Sequence, residues 1–380
     1  MNDIHFALLQ LIKASLFKEE AKLPVDTDFE AIYKEACEQT VAALASPAIP
    51  PENAAVWQTA AFQNEAQYMR MLYEQSNLIK LFNDSNIPIV IIKGFAAAIY
   101  YPKPQLRTMG DIDFLVGEKN FEAARELLTN NGYTFLGDYE DGRDYTYQKG
   151  GVIFELHRRY SDSRLDIEDI LINGMNNLQI HELNGNKFPT FSEEINGLIL
   201  LDHIRHHLYG GLGIRQIIDW MVFLNANSDN GESIARLLKL ISEANLEKFA
   251  EILTKMCVLY FGLPDKFLWC READSGAAEE LLNAVFKSGN FGRKDPYVYK
   301  PLDSLTQSIR KDGLFRVLQN AGLENWNACQ KHRFLRPFAW IYQSFRFIKR
   351  GILALLRGEN FKKDIEAGNE KMDFYEKLGI

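Results

Sequence analysis

One short island of strand-forming sequence interrupts a chain that otherwise carries helical periodicity, and it narrows the fold more than any other feature. Ile87-Pro-Ile-Val-Ile-Ile92 is a continuous, mostly β-branched run, the pattern of a strand covered on both faces. It stops at Lys93-Gly94, and Phe95 to Tyr101 has the composition of a short helix. Asp111-Ile-Asp-Phe-Leu-Val116 reads as a second strand, and Asn120 to Asn130 as a helix closed by Gly132. Two further strands near 133–137 and 145–148 lead to Val152-Ile-Phe-Glu-Leu-His157. The acidic segment from Asp138 to Asp144 reads as a hairpin connection with no chemistry in it.

On either side the period becomes helical. Asp28 is placed to cap a helix starting at Phe29, while Pro47, Pro50 and Pro51 mark a loop. Tyr68, Leu72, Ile79 and Phe82 then share one face of a helix over 65–84. After about 185 the chain is helical to its end. The expected division is an N-terminal helical region (1–86), an α/β core (87–185) and a C-terminal helical domain (186–380). This is an α+β chain whose small mixed sheet is flanked by helices.

The 380 residues leave room for two or three domains. With 47% hydrophobic and 25% charged residues, the composition is that of a globular chain and not of a disordered one. A net charge of −8 argues against a protein that coats nucleic acid by bulk attraction. Cys37, Cys257, Cys270 and Cys329 are scattered and lack zinc spacing, and most of them suit small buried apolar positions in a reducing compartment. The first twenty residues lack the basic leader and cleavage pattern of a signal peptide, and no run approaches the roughly 18 apolar residues that span a bilayer. The expected location is the cytoplasm.

Within the island, three features recur in a chemically useful order. A glycine at a strand-to-helix turn, Gly94 after Lys93, lets backbone N–H groups approach a phosphate chain. Asp111 and Asp113 are two apart on a strand, so both carboxylates leave one face while Ile112, Phe114 and Val116 anchor the other. Paired hard oxygen ligands suit Mg²⁺. Glu155 shares a strand face with His157, opposite Phe154 and Leu156. If that strand neighbours the Asp111 strand, three carboxylates converge and can hold two metal ions. The competing readings are a solvated strand end for Asp111 and a cross-strand ion pair with Arg158 or Arg159 for Glu155.

The segment IVIIKGFAAAIYYPKPQLRTMGDIDFLV, followed by VIFELHRRY, resembles a bacterial family of uncharacterised nucleotidyltransferases in the DNA polymerase β superfamily. The likeness extends through DHIRHHLYGGLGIRQIIDW to the C-terminal helices. It implies a polymerase β-type core and Mg²⁺-dependent transfer of a nucleoside monophosphate from an NTP to an unidentified acceptor, Mn²⁺ being the other candidate ion. Carried over by position, Asp111, Asp113 and Glu155 match the catalytic metal ligands, and Gly94 matches the phosphate-binding glycine. Lys93, Arg107 and His157 are the further candidates for the nucleotide and its phosphates, the alternatives being a structural ion pair for Arg107 and a hydrogen-bonded core histidine for His157. Better-known members have Gly or Ser after the glycine, whereas this chain has Phe95. That departure supports an alternative function, a catalytically inactive nucleotide-binding or assembly module of the same fold.

Other motifs fit ordinary structure. His203 and His207 lie four apart on one helix face, but the glutamate of a HExxH site is absent, so a helix packed over the active site is expected. Gly210-Gly-Leu-Gly213 reads as a helix break, and Arg215 with Asp219 as a helical ion pair. The stretch 331–363 is basic and aromatic, with Arg333, Arg336, Arg346, Lys349, Arg350, Arg357 and Lys362 around Trp340, Phe345 and Phe347, and Glu359 its only acid. It reads as a helix with its aromatic side packed inside, the alternatives being an RNA or membrane surface.

Overall fold

The strand island forms a five-stranded mixed sheet in a computed structural model that describes residues 1–138, 144–160, 167–294, 313–326, 328–329, 332–356 and 361–380. Its strands are β1 (Val90–Ile91), β2 (Ile112–Leu115), β3 (Thr134–Asp138), β4 (Asp144–Lys149) and β5 (Val152–His157), in the spatial order β1-β2-β5-β4-β3. β2 and β5 run parallel and every other pair antiparallel. Gly150 and Gly151, at φ 57° and 74°, make the tight turn between β4 and β5 that side chains rarely tolerate. Residues 139–143, most of the acidic connection, lie outside the described residues.

Met1–Asp295 form one compact unit. Its first four helices are α1 (Asp3–Phe17), α2 (Phe29–Glu38), α3 (Ala42–Ala45) and α4 (Ala54–Asp84). Asp28 caps α2 by accepting from Glu30 and Ala31, as its position before the helix predicts. α5 (Gly94–Ala98), α6 (Phe121–Asn130) and α7 (Ile167–Gly174) fall between or after the strands. α8 (Glu193–Gly210), α9 (Ile214–Asn227), α10 (Gly231–Glu243), α11 (Glu247–Met256) and α12 (Ser275–Ser288) follow. The face of α4 carrying Tyr68, Leu72, Ile79 and Phe82 packs with Phe95, Ile112, Phe114, Phe154 and Leu156 in one core. The period of four apolar residues on α4 and the period of two along the strands thus meet at a single apolar layer.

The helical reading from about 185 needs one correction. β6 (Gln179–Leu183) and β7 (Asn186–Thr190) form a separate hairpin turning at Asn184-Gly185, both at positive φ. An Asn-Gly pair is the strongest local signal for such a turn.

Pro296–Ile380 form a second compact unit, containing α13 (Leu314–Asn325), α14 (Ala339–Leu356) and α15 (Phe361–Leu378). α13 packs on α14, and Trp326 stacks on Tyr342 with ring centroids 5.1 Å apart. Phe334, Phe338 and Phe345 are exposed, so the aromatic side of the basic stretch is not packed inside at those positions. Lys331, Arg357 and Glu359 lie outside the described residues. Among the described residues, no helix is long and apolar enough to cross a membrane.

Candidate active site

Strand register brings the acidic residues together. Asp113 on β2 lies opposite Glu155 on the parallel β5, and Asp144 on β4 lies opposite His157. Alternation then sends all four side chains to the face away from Phe114, Phe154 and Leu156. Ligand atoms of Asp113, Glu155 and His157 lie within 4.8 Å of one another. Asp111, just before β2, lines the same cavity but is not part of that tight group.

Lys93 turns the chain from β1 into α5 at φ 52° and ψ −125°, a conformation that costs a non-glycine residue on the order of 1–3 kcal/mol. The turn aims its ammonium at the carboxylates. Nζ donates to Asp113 Oδ1 at 2.7 Å and lies 5.6 Å from the centre of the Tyr160 ring. His157 Nε2 meets the same oxygen at 2.9 Å, and Asp144 Oδ1 lies 2.5 Å from its Nδ1.

Burial disfavours charge on each of these groups, and neighbours decide the outcome. At Asp113 burial pushes upward, but the Lys93 ammonium and the His157 ring outweigh it and hold the carboxyl well below its usual range. Glu155 receives less help: burial, then Asp113 and Asp111, push it up to about 8. Asp111 rises to about 6, through burial and then Asp113. Burial and Lys93 work against a charged His157, yet its contacts with Asp113 and Asp144 bring it up to about 9. One carboxylate is secure, and two carboxyls are short of positive charge.

Arg107 borders the cavity, but its fork is taken. Nε and Nη2 donate to the two oxygens of Asp219 at 2.8 and 2.7 Å, and the Tyr101 hydroxyl donates to Asp219 Oδ1 at 2.7 Å. This displaces the helical pair expected between Arg215 and Asp219, because a two-bond fork outcompetes a single contact along the helix. Arg215 instead donates Nη1 to the Thr108 carbonyl at 2.9 Å and faces the cavity. Gly94 also lines the cavity. Phe95 does not: it is 1% exposed, with its ring among those of Tyr68 and Phe188 in the core.

Comparison with known proteins bears on this arrangement. Residues 34–262, more than half of the chain, match the family described as uncharacterised nucleotidyltransferase. The chain belongs to that family. None of the curated proteins matches the sequence of this nucleotidyltransferase. Among solved structures it is similar to the antibiotic-resistance factor ANT(2'')-Ia, at 12% identity over 46% of this chain and 92% of that one, with a TM-score of 0.33. An antigenic nucleotidyltransferase-like protein from Paracoccidioides brasiliensis gives 16% identity over 46% and 88%, with a TM-score of 0.31. A tRNA nucleotidyltransferase complexed with a primer tRNA and an incoming ATP analogue gives 15% over 72% and 99%, with a TM-score of 0.22.

The cavity also holds groups that the sequence reading passed over. Asp144, read from sequence as the end of a hairpin connection, lies on β4 against His157 and lines the cavity. α8 runs along the cavity and contributes His203, His206 and His207, which agrees with a helix packed over the site. Arg215 and Phe291 complete the lining from more distant sequence. The Arg158 considered as a partner for Glu155 pairs with Glu118 instead, Nη2 to Oε1 at 2.6 Å.

Proposed function

We propose that this nucleotidyltransferase moves a nucleoside monophosphate from an NTP to a hydroxyl or phosphate oxygen of an acceptor, releasing pyrophosphate, with Mg²⁺ at the carboxylates. The observation that carries this reading is the register pair Asp113–Glu155, with Asp111 beside it, in a cavity of about 250 Å³ that also presents Lys93 and Arg215.

The donor set fits a hard divalent cation. Three carboxyls offer oxygen ligands, and Glu155 and Asp111 are the groups most in need of positive charge. His157 Nε2 is already engaged with Asp113, which leaves oxygen as the prevailing donor and makes Mn²⁺ the natural substitute for Mg²⁺. Asp111, Asp113 and Glu155 would hold one or two ions. A bound ion would neutralise phosphate charge and acidify the attacking hydroxyl.

The chain's own residues divide the remaining work. The acceptor oxygen attacks the α-phosphorus, the bond from that phosphorus to the bridging oxygen breaks, and pyrophosphate departs. Glu155, once its carboxyl is ionised, accepts the acceptor's proton. Lys93 and Arg215 neutralise the phosphates, Gly94 keeps the turn beside them free of a side chain, and His157 keeps Asp113 ionised and oriented. The chemistry is largely positioning and electrostatics. Phe95 turns its ring into the core and so does not block the cavity.

Calorimetry of NTP binding with and without Mg²⁺, followed by pyrophosphate release against a panel of acceptors, tests this reading. Metal-dependent binding and turnover in the wild type, both lost in Asp113→Asn, are expected. An Asp113→Asn protein as active as the wild type would remove the assignment.

A further inference from the structure

α8 and the turn Asn290–Gly292 give the cavity a wall of different character from the sheet. Phe291 borders the cavity with 43% of its surface exposed, on a left-handed backbone at φ 55° and ψ 33°. A phenylalanine holds that conformation only where its surroundings impose it. Here the backbone crossing imposes it. The Phe291 N–H donates to the Gly211 carbonyl at 3.1 Å, and a Cβ on Gly211 would fall 1.9 Å from the nitrogen of Gly292. Asn290 occupies the space left at Gly213, where a Cβ would lie 2.9 Å from its Oδ1. The glycines after α8 therefore do more than break a helix: they dock the turn that carries Phe291.

The docked ring stands edge-on to His207, with centroids 5.3 Å apart and planes at 72°. His207 in turn meets His203 at 4.4 Å and 86°. Burial, then Lys93, moves His207 down to about 3, and burial with His207 moves His203 well below its ordinary value. These rings are neutral, so they offer flat apolar faces and no charge for a phosphate. Cations for phosphate are present separately, in Lys93 and Arg215.

We propose that the exposed face of Phe291, its ring held edge-on against His207, is the shelf on which the nucleobase of the NTP stacks. The inference rests on the NTP-binding reading given above. Every base has a π-face, and an aromatic ring held in place beforehand gains stacking without losing side-chain freedom on binding. The division of the cavity matches the division of an NTP: charged groups for the triphosphate, neutral rings for the base.

Calorimetry with ATP and with inorganic tripolyphosphate, both with Mg²⁺, on wild type, Phe291→Ala and Phe291→Trp separates the parts. Phe291→Ala should bind ATP about tenfold to a hundredfold more weakly, hold tripolyphosphate within about twofold of wild type, and melt as wild type does. Phe291→Trp should restore ATP binding. Unchanged ATP affinity in Phe291→Ala overturns the shelf, and so does an equal loss of both ligands. A wild-type protein that binds neither ligand removes the NTP reading itself and the shelf with it, a result distinct from either of those.

Discussion

Two buried clusters of charge in the same compact unit look alike in sequence and behave differently in the fold. Around Asp219 the groups match one for one: Arg107 grips both carboxylate oxygens and the Tyr101 hydroxyl adds a third bond. Around Asp113 they do not. The carboxyls of Asp111, Asp113, Glu155 and Asp144 face Lys93, His157 and Arg215, and the excess of acid appears as the raised Glu155 and Asp111. Burial of charge alone says little about function, because closed ion pairs are also structural. An imbalance that the protein leaves in place, on a backbone strained at Lys93, points to a ligand.

The largest effect expected from this contrast is on catalysis. Asp113→Asn removes the carboxylate that Lys93 and His157 both engage, and turnover should fall by a factor on the order of 10²–10³ or more while the circular dichroism spectrum is kept. Arg107→Met attacks the closed cluster and should do the reverse. It leaves Asp219 buried without its cation, which costs about 3–5 kcal/mol of stability in urea unfolding, and Arg107→Met/Asp219→Leu should recover much of the loss. If Arg107→Met instead stays stable and raises the KM for the NTP, Arg107 serves the phosphates and the contrast between the clusters is broken.

How much of this was legible in sequence depends on the range of the contacts. The Asp113 strand and the Glu155 strand were readable because a period of two fixes which residues share a face. Asp144 was readable too, though it was passed over. A two-residue Gly150-Gly151 turn pairs Lys149 with Val152, and counting back along both strands sets Asp144 opposite His157. The Asn184-Gly185 hairpin carried a similar local signal. The fate of Arg107 was not legible, since Asp219 lies on α9, and no local pattern tells a guanidinium meant for phosphate from one meant for a distant carboxylate. Phe291 reaches the cavity through a turn that crosses Gly211, a contact that has no sequence period.

The imbalance also fixes a pH dependence of intermediate size. Glu155 titrates near 8 in the folded protein against an ordinary 4.5, so the folded chain holds a proton that the unfolded chain has released. Its contribution to stability is fully present below about 4.5 and is lost as pH rises through about 8; Asp111 acts in the same direction up to about 6. Asp113, held low, has the opposite sign and loses its contribution only in strong acid. A divalent ion competes with the protons on Glu155 and Asp111, so Mg²⁺ affinity should climb with pH and level off above about 8. The rise in melting temperature that Mg²⁺ produces, measured across that window, checks the point. A rise independent of pH would mean that these carboxyls are not short of positive charge.

The smallest effect belongs to a third guanidinium. Arg158 donates Nε and Nη2 to Glu118 Oε1 at 2.9 and 2.6 Å, bonds as short as those of Arg107, but both partners lie at the surface. Water solvates each of them when the pair is broken, and salt screens what attraction remains. Arg158→Ala should therefore leave the urea midpoint and the turnover within error of wild type. The urea series that reports on Arg107→Met serves here as well, so the two pairs are compared under one condition. A loss at Arg158 as large as that at Arg107 would show that the number of bonds, and not their removal from water, sets the cost. The excess of carboxyls around Asp113 would then lose its meaning as a mark of function, because that meaning depends on charge being costly where water cannot reach it.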